Sequence, residues 1–316
     1  MSKSEGNALN VDDLLKQYGA EVCRWWVSSL AFENDIKADI SYFQVASEGY
    51  RKIRNTLRFL HSNIFDLDVL ESNKGERDKV LSEIKDTSIN AYCLEKLTDL
   101  QNEVKTAYTE FKFKTASTLL YDFCNDTLSS LYCVAVKDRL YCDSKKSKAR
   151  LETQHTLWLT LDTLCHLLAP ILPHTADEMF QTLYNNKNES IHLHRFQSVS
   201  FKASSKWSAV LEIRSDVLKA LEESKANGIE NTLDAGLTIG KKASILVDFQ
   251  DDLADLFSVS RVTITQNPDE LSIQNLREEP RCERSWKRDK TVKERENGIL
   301  LSDRDFEAVE QSKVVL

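Results

Sequence analysis

The sequence predicts a mainly α protein in which a helical bundle is followed by a small α+β unit near the C-terminus. Three observations support this fold class. Glycine and proline are scarce, with 8 and 4 among 316 residues. Apolar residues recur at helical spacing in long stretches between residues 11 and 184. After Gly228 the apolar spacing changes to two residues, which indicates strands.

Two helices are predicted near the N-terminus. The first covers residues 11–29, with Asn10 as the N-cap and with Asp12 and Asp13 in the first turn, where the helix dipole favours anions. The second covers residues 43–64, where apolar residues alternate at three and four positions. A stripe of this length predicts a helix that packs along another helix.

The rest of the bundle is predicted from three further long helices, at 88–111, 114–141 and 148–169. The last of these ends at Pro170, because proline has no amide hydrogen and its ring clashes with the preceding turn. Thr175 and Glu178 have the spacing of a capping box. They predict the start of a short helix that ends near Tyr184.

The C-terminal α+β unit follows a polar stretch at 185–206. A helix is predicted at 207–226, and Gly228 suits the position just beyond its C-terminus. Alternation at two-residue spacing predicts three strands, at 233–239, 243–249 and 259–265. Gly240 and Lys241 are expected to form the turn between the first two strands. Residues 266–316 are strongly charged and give no clear pattern.

Composition places the chain among ordinary globular proteins of two or three domains. Seven cysteines at scattered spacings indicate reduced thiols and favour a cytoplasmic location, and no apolar run predicts a membrane span. The net charge of −8 argues weakly against a nucleic-acid partner. However, Arg281 to Arg295 contains seven basic and three acidic residues, a local surplus of four positive charges. This surplus permits a basic surface on an acidic body.

The first residues carry the most specific motif. Met1-Ser2-Lys3-Ser4 resembles the KMSKS signature of class I aminoacyl-tRNA synthetases without its first lysine. The continuation, with Tyr18-Gly19-Ala20-Glu21 and Arg24-Trp25-Trp26-Val27, resembles the segment after this loop in the isoleucyl, valyl and leucyl enzymes. A cationic loop with hydroxyl donors suits a reacting nucleotide, whose charge is stabilised by positioned donors.

Further segments extend the resemblance to about residue 265. Residues 50–60 (YRKIRNTLRFL) and 136–141 (VKDRLY) resemble the isoleucyl-tRNA synthetase family in particular, while 168–178 (LAPILPHTADE) is common to the subclass. The chain is thus identified as similar to the C-terminal portion of that family. The resemblance implies the following order of parts: a remnant of the KMSKS loop at 1–10, a stem-contact helix region at 11–40, an anticodon-binding helical bundle at 41–200, the α+β unit at 207–265, and a charged tail with a degenerate zinc knuckle at 266–316.

The resemblance also implies a function and its site residues. The family attaches isoleucine to tRNA(Ile) using ATP with Mg²⁺, so Lys3 is the expected catalytic residue and Ser2, Lys3 and Ser4 the expected ATP-binding residues. The HIGH signature and the pattern of a Rossmann-type domain do not occur in these 316 residues. The chain alone is therefore expected to be inactive, as a gene fragment or one half of a split enzyme. The alternative is a free-standing tRNA-binding or scaffold protein that has lost catalysis.

A row of cations on the predicted helix 43–64 is a candidate RNA contact. Arg51, Arg54 and Arg58 lie one position after residues of the apolar stripe, with His61 next along the row. Guanidinium groups in a row suit contact with phosphates. Ion pairs with acidic residues of neighbouring helices explain the same pattern equally well.

The tail departs from the family. Bacterial-type members end in a zinc knuckle with two C-x-x-C pairs, but here Cys282 is followed by Ser285 and by no later cysteine or histidine. One ligand cannot hold structural zinc, so no zinc is expected. Trp286 and the basic residues around it offer base stacking and phosphate pairing to RNA. A loosely ordered charged tail is the competing interpretation. No DNA or membrane partner is expected.

Overall fold

The structure is a computed structural model and describes residues 9–33, 39–67, 74–196, 198–295 and 298–313. It contains two compact units, each assembled from stretches that are distant in the sequence. The first unit comprises Met1–Arg77, Leu94–Ser129 and Thr156–Phe201. The second comprises Asp78–Cys93, Ser130–His155 and Lys202–Leu316. No helix in the described residues is both long and apolar enough to cross a membrane.

Helices dominate the described chain, as predicted. They are α1 (Val11–Tyr18), α2 (Ala20–Ser28), α3 (Ile40–Ser62), α4 (Lys74–Ser82), α5 (Ile89–Thr109), α6 (Phe113–Asp122), a π-helical segment (Phe123–Tyr132), α7 (Cys133–Ala135), α8 (Lys137–Cys142), α9 (Lys148–Leu168), α10 (Pro173–Leu183), α11 (Trp207–Ser224), α12 (Ala243–Leu246), α13 (Gln250–Leu256) and α14 (Asp303–Lys313). The mainly α fold class is confirmed.

Two predicted helices are interrupted. The helix expected at 11–29 breaks at Gly19, whose φ of +81° lies in the region that favours glycine. Its N-cap is confirmed, since the Asn10 side chain accepts a hydrogen bond from the Asp12 amide. The helix expected at 114–141 contains the π-helical segment. Cys124, Leu128 and Tyr132 are fully buried at a spacing of four residues, which does not distinguish an α-helix from the wider π turn.

The core of the first unit is built around α3. Its buried face includes Phe43, Ile53, Leu57 and Leu60, as the predicted apolar stripe required. The ring of Phe43 lies 4.4 Å from that of Trp26. Such an aromatic pair stabilises the fold by more than the apolar area it buries, so this contact helps to hold α2 against α3.

The second unit contains a three-stranded sheet with the order β2–β1–β3, formed by β1 (Ala235–Ile239), β2 (Arg261–Ile264) and β3 (Leu271–Asn275). β1 pairs in parallel with β2 and antiparallel with β3. Helix α11 buries Val210, Ile213 and Val217 in this unit, and Gly228 adopts the expected left-handed conformation, with φ +84°.

The predicted hairpin from 233 to 249 is wrong. β1 and the strand at 259–265 are confirmed, but residues 243–249 form α12 and a 3₁₀ turn, Val247–Phe249. The fully buried apolar residues of this region are Leu246, Phe249, Leu253 and Leu256. Their three- and four-residue spacing continues into α13, so the helical period outweighs the local alternation.

The described residues after 266 are folded, and for them the interpretation as a loosely ordered tail is wrong. Besides β3, they form a second antiparallel pair, β4 (Lys293–Glu294) and β5 (Leu300–Leu301), followed by α14. Cys282, Val292 and Leu301 form a small buried cluster, against which Phe306 and Val309 pack. Because these apolar residues are far apart in a charged sequence, no local periodicity revealed them.

Candidate nucleic-acid interface

The three arginines of the predicted row lie on α3 and are exposed. Arg51, Arg54 and Arg58 follow one another at three and four positions, so they share one side of the helix. Within the described residues none of them forms an ion pair or a side-chain hydrogen bond. The alternative, in which neighbouring helices pair with them, finds no support there. The row presents guanidinium donors to solvent over an axial rise of about 10 Å.

Helix α3 is held by its N-cap, by its buried face and by a polar contact of Tyr50. The Asp39 side chain caps its N-terminus by accepting a hydrogen bond from the Ser41 amide at 2.8 Å. Further along, the Tyr50 hydroxyl lies 2.9 Å from the Thr175 hydroxyl at the start of α10. The helix that carries the arginines is therefore a rigid support, because its buried face and its polar contacts both hold it in place.

The corner between α9 and α10 is bound by α2. The Arg24 guanidinium donates hydrogen bonds to the carbonyl oxygens of Ile171 and Pro170 at 2.8 and 2.9 Å. The Glu21 carboxylate accepts hydrogen bonds from the backbone amides of His174 and Thr175. These contacts join the segment that follows the KMSKS-like loop to the bundle.

The capping box predicted at Thr175 and Glu178 is wrong. Leu172 precedes α10 without a side-chain cap, and Pro173 occupies the first turn. The Thr175 hydroxyl is engaged by Tyr50, and the free amides are satisfied by Glu21 from another helix. A cap supplied across 153 positions of sequence leaves no local motif.

The predicted catalytic and ATP-binding residues, Ser2, Lys3 and Ser4, lie outside the described residues. The structure therefore gives no geometry for them. The described part begins just before α1.

The expected zinc-knuckle position is occupied by a hydrogen-bonded cluster. The Cys282 thiol, the Ser285 hydroxyl and the Ser302 hydroxyl lie 2.8, 2.6 and 3.0 Å from Oδ2 of Asp305. Burial alone would raise the pKa of Asp305, but these hydrogen bonds and the charge of Arg304 lower it below its usual value. One carboxylate thus joins the loop at 282–285 to the start of α14.

Trp286 is 55% exposed and adopts a positive φ of +62°. A bulky residue in the left-handed region is strained, and such strain often occurs at functional positions. The Arg281 guanidinium lies 4.8 Å from the centre of its indole ring. The two side chains form an exposed cation–π pair.

Most of the other basic residues in this region are engaged within the second unit. Arg284 donates to the carbonyl oxygens of Tyr141 and Cys142. Arg288 pairs with Asp234 at 2.7 Å. The surplus of positive charge inferred from the sequence is therefore largely neutralised by internal contacts, and little of it is free to face RNA.

The segment at 136–141 has a structural role that the sequence did not reveal. Asp138 accepts from Lys287 at 2.9 Å and from Arg304 at 2.5 Å. Arg139 donates to Asp252 at 2.7 Å and to Asp255 at 3.2 Å. Burial would raise the pKa of Asp138, but the two cations lower it to about 2. In the sequence, the only sign of this role is that Asp138 and Arg139 carry opposite charges next to each other in a predicted helix.

Comparison with known proteins assigns these features to a family. Residues 90–239 match the family described as the anticodon-binding domain of tRNA ligase. An isoleucine–tRNA ligase of Petrotoga mobilis is 36% identical over 308 residues, which cover 92% of this chain and 33% of the relative. That of Syntrophotalea carbinolica is 33% identical and covers 90% of this chain and 32% of the relative. That of Streptococcus sanguinis is 32% identical and covers 99% and 35%.

These matches favour a ligase portion over a free-standing scaffold protein. The chain spans about a third of the length of the curated relatives it matches. The matched stretch is their C-terminal portion, in agreement with the resemblance found in the sequence. This chain belongs to the isoleucine–tRNA ligase family, of which it represents the C-terminal part that contains the anticodon-binding domain.

Proposed function

We propose that this chain is the tRNA-binding part of an enzyme that attaches isoleucine to tRNA(Ile) with ATP and Mg²⁺. The observation that carries the proposal is the row of exposed arginines, Arg51, Arg54 and Arg58, on a helix held firmly by its other faces. Cations without protein partners are free to displace the counterions of a phosphate backbone, which supplies most of the affinity in such complexes. The anticodon-binding family match supports the choice of RNA.

Trp286 is the proposed second contact. Its exposed ring offers stacking to one base, worth about 1–3 kcal/mol, and Arg281 adds a positive charge beside it. The remaining basic residues of the tail contribute little, because internal ion pairs engage them. Trp286→Ala is therefore expected to weaken tRNA binding without altering its salt dependence.

The proposal assigns Ser2, Lys3 and Ser4 to the ATP-binding loop of the complete enzyme, with Lys3 stabilising the charge that develops on the reacting phosphate. The seven cysteines are present as thiols, which supports a reducing compartment such as the cytoplasm.

A binding comparison tests the choice of partner. Filter binding measures the affinity of the chain for a tRNA(Ile) transcript and for the same transcript with an altered anticodon. We expect weaker binding of the altered transcript, because bases add specificity to the common phosphate contacts. Equal affinities would show that the chain binds RNA phosphates without recognising the anticodon of tRNA(Ile). No binding of either transcript would refute the proposal.

A further inference from the structure

A small cavity in the first unit lies beside the corner that follows α9. It has a volume of about 180 Å³ and is lined by His166, Pro170, Ile191, His192, His194 and Phe196. Drug-sized ligands need cavities of about 300–1,000 Å³, so this cavity suits a single planar ring system. None of these residues belongs to the arginine row or to the contact proposed for Trp286.

His166, one of the residues that line this cavity, has a polar ring atom without a hydrogen-bond partner in the described residues. Its side chain is 7% exposed, and its Nδ1 lies 2.9 Å from the carbonyl oxygen of Asp162. Nε2, on the other edge of the ring, is buried and has no hydrogen-bond partner in the described part of the chain. When Nδ1 donates to the carbonyl oxygen, Nε2 keeps its lone pair. The site then offers an acceptor that only a ligand or a water can satisfy.

The orientation of His166 is set by its surroundings. The Tyr184 hydroxyl donates to Oδ1 of Asp162 at 2.8 Å, which fixes the residue whose carbonyl oxygen holds Nδ1. The Phe180 ring meets the imidazole edge-on, with 5.8 Å between centroids. These contacts limit rotation of the imidazole, so the position of Nε2 is preorganised for binding.

Aromatic rings and positive charge surround the cavity. The rings of His194 and Phe196 lie 6.4 Å from that of His166, and both side chains are partly exposed. The Lys105 ammonium lies 5.7 Å from the Phe196 ring, and Arg195 is exposed on the same loop. Nε2 of His194 lies 2.8 Å from the Glu189 carboxylate. Flat walls with adjacent cations suit a base attached to a phosphate backbone.

We infer that this cavity binds one unstacked nucleobase that carries an exocyclic amine, with Nε2 of His166 accepting a hydrogen bond from the amine. Phe196 supplies a stacking surface, and Lys105 and Arg195 supply positive charge for the adjoining phosphates. The inference rests on the proposed RNA-binding function, because it names a recognition site for a single-stranded part of the same RNA. It differs from the arginine row in reading a base instead of the backbone.

Nitrogen NMR of the histidine side chains provides the direct test. The chain has only six histidines, so ¹⁵N-histidine labelling gives few signals, and the His166 signals are assigned by their loss in His166→Phe. The probes are a hexamer of adenosine and a hexamer of purine riboside, which has the same rings without the amine. The adenosine hexamer is expected to shift the Nε2 signal of His166 and to bind about five- to tenfold more tightly than the matched probe.

Two variants separate recognition from folding. His166→Phe keeps an aromatic ring beside Phe180 but removes the acceptor, so it should lose the preference for the amine. Phe196→Ala removes an exposed ring and should weaken both probes by about fivefold or more. Equal binding of the two probes, or an unmoved Nε2 signal with the adenosine hexamer, would overturn the inference and leave water as the partner of Nε2. Phe196→Ala is the decisive variant where His166→Phe does not fold.

The arginine row distinguishes this inference from the proposed function. Arg54→Ala should weaken tRNA binding but leave the shift of the His166 signal by the adenosine hexamer unchanged. Normal tRNA binding by Arg54→Ala with the shift retained would contradict the arginine row alone. A lost shift with the arginine effect retained would contradict the base-binding cavity alone.

Discussion

Oε1 of Glu21 accepts a hydrogen bond from the backbone nitrogen of His174 across 3.2 Å, and Oε2 accepts one from the Thr175 amide at 3.3 Å. A carboxylate from α2 thereby occupies the place of an N-cap for α10. The contact satisfies two amides that a helix N-terminus leaves without partners, and it places a negative charge at the positive end of the helix dipole.

Glu21→Ala should therefore destabilise the protein. Loss of an N-cap costs about 0.5–2 kcal/mol, and the loss of a partner by two amides places this case towards the upper value. Glu178→Ala is the matched control, because the capping box expected from the sequence would make it equally harmful. Urea denaturation of both variants decides between them: a large effect of Glu178→Ala with none of Glu21→Ala would restore the local capping box.

Asp138 should make the free energy of unfolding depend on pH in the acid range. Burial opposes its ionisation, but Lys287 and Arg304 lower its pKa to about 2. Because the folded-state pKa lies below the unfolded value of about 4, the carboxylate stabilises the protein above pH 4 by about 2 kcal/mol. This contribution is lost as the pH falls from about 4 to 2.

Asp138→Asn tests this dependence, since the amide keeps the shape of the side chain but cannot ionise. The variant should lose stability at neutral pH and show a flatter decline in unfolding free energy between about pH 4 and 2. Asp251→Asn is the control, because Asp251 pairs with Lys85 where both side chains are more than 70% exposed. An equal effect of the two substitutions would argue against the buried ion pairs.

The cluster at Asp305 predicts a fold that does not depend on zinc. The Cys282 thiol donates a hydrogen bond to the Asp305 carboxylate, which also accepts hydrogen bonds from Ser285 and Ser302. No group of metal ligands occurs in the described residues. Elemental analysis should find no stoichiometric zinc, and a chelator should leave the melting temperature unchanged. Asp305→Ala should lower that temperature, because it leaves buried hydroxyl and thiol groups without a partner. About one zinc per chain would contradict this account.

Particular residues show what the sequence could and could not predict. The long helices and the buried stripe of α3 were predictable, because local periodicity reflects burial directly. The cap from Glu21 and the cluster at Asp305 were not, since both join residues distant in sequence. Residues 243–249 carry both a two-residue alternation and part of a helical pattern, and only the continuation to Leu253 and Leu256 decides between them. The exposure of Arg51, Arg54 and Arg58 could not be predicted from the sequence, because it depends on which elements pack against α3.

Lys3 is expected to act on the chemical step in the complete enzyme. Its charge would meet the charge that develops on the reacting phosphate, so Lys3→Ala should lower the rate of adenylate formation by about 100-fold or more while changing isoleucine affinity little. Isoleucine-dependent pyrophosphate exchange measures both quantities. An unchanged rate would remove Lys3 from the proposed site.

The salt dependence of tRNA binding tests the central proposal most directly. Filter binding across a range of salt concentrations gives the slope of log affinity against log salt for the wild type, Arg54→Ala and Arg58→Ala. Lys52→Ala, which removes a cation of α3 outside the row, is the control. Each arginine variant should flatten the slope by about 0.7–0.9 and leave the melting temperature unchanged, while the control keeps the wild-type slope. Unaltered slopes in both arginine variants, together with lowered melting temperatures, would show that the row serves the stability of the bundle and not the binding of tRNA.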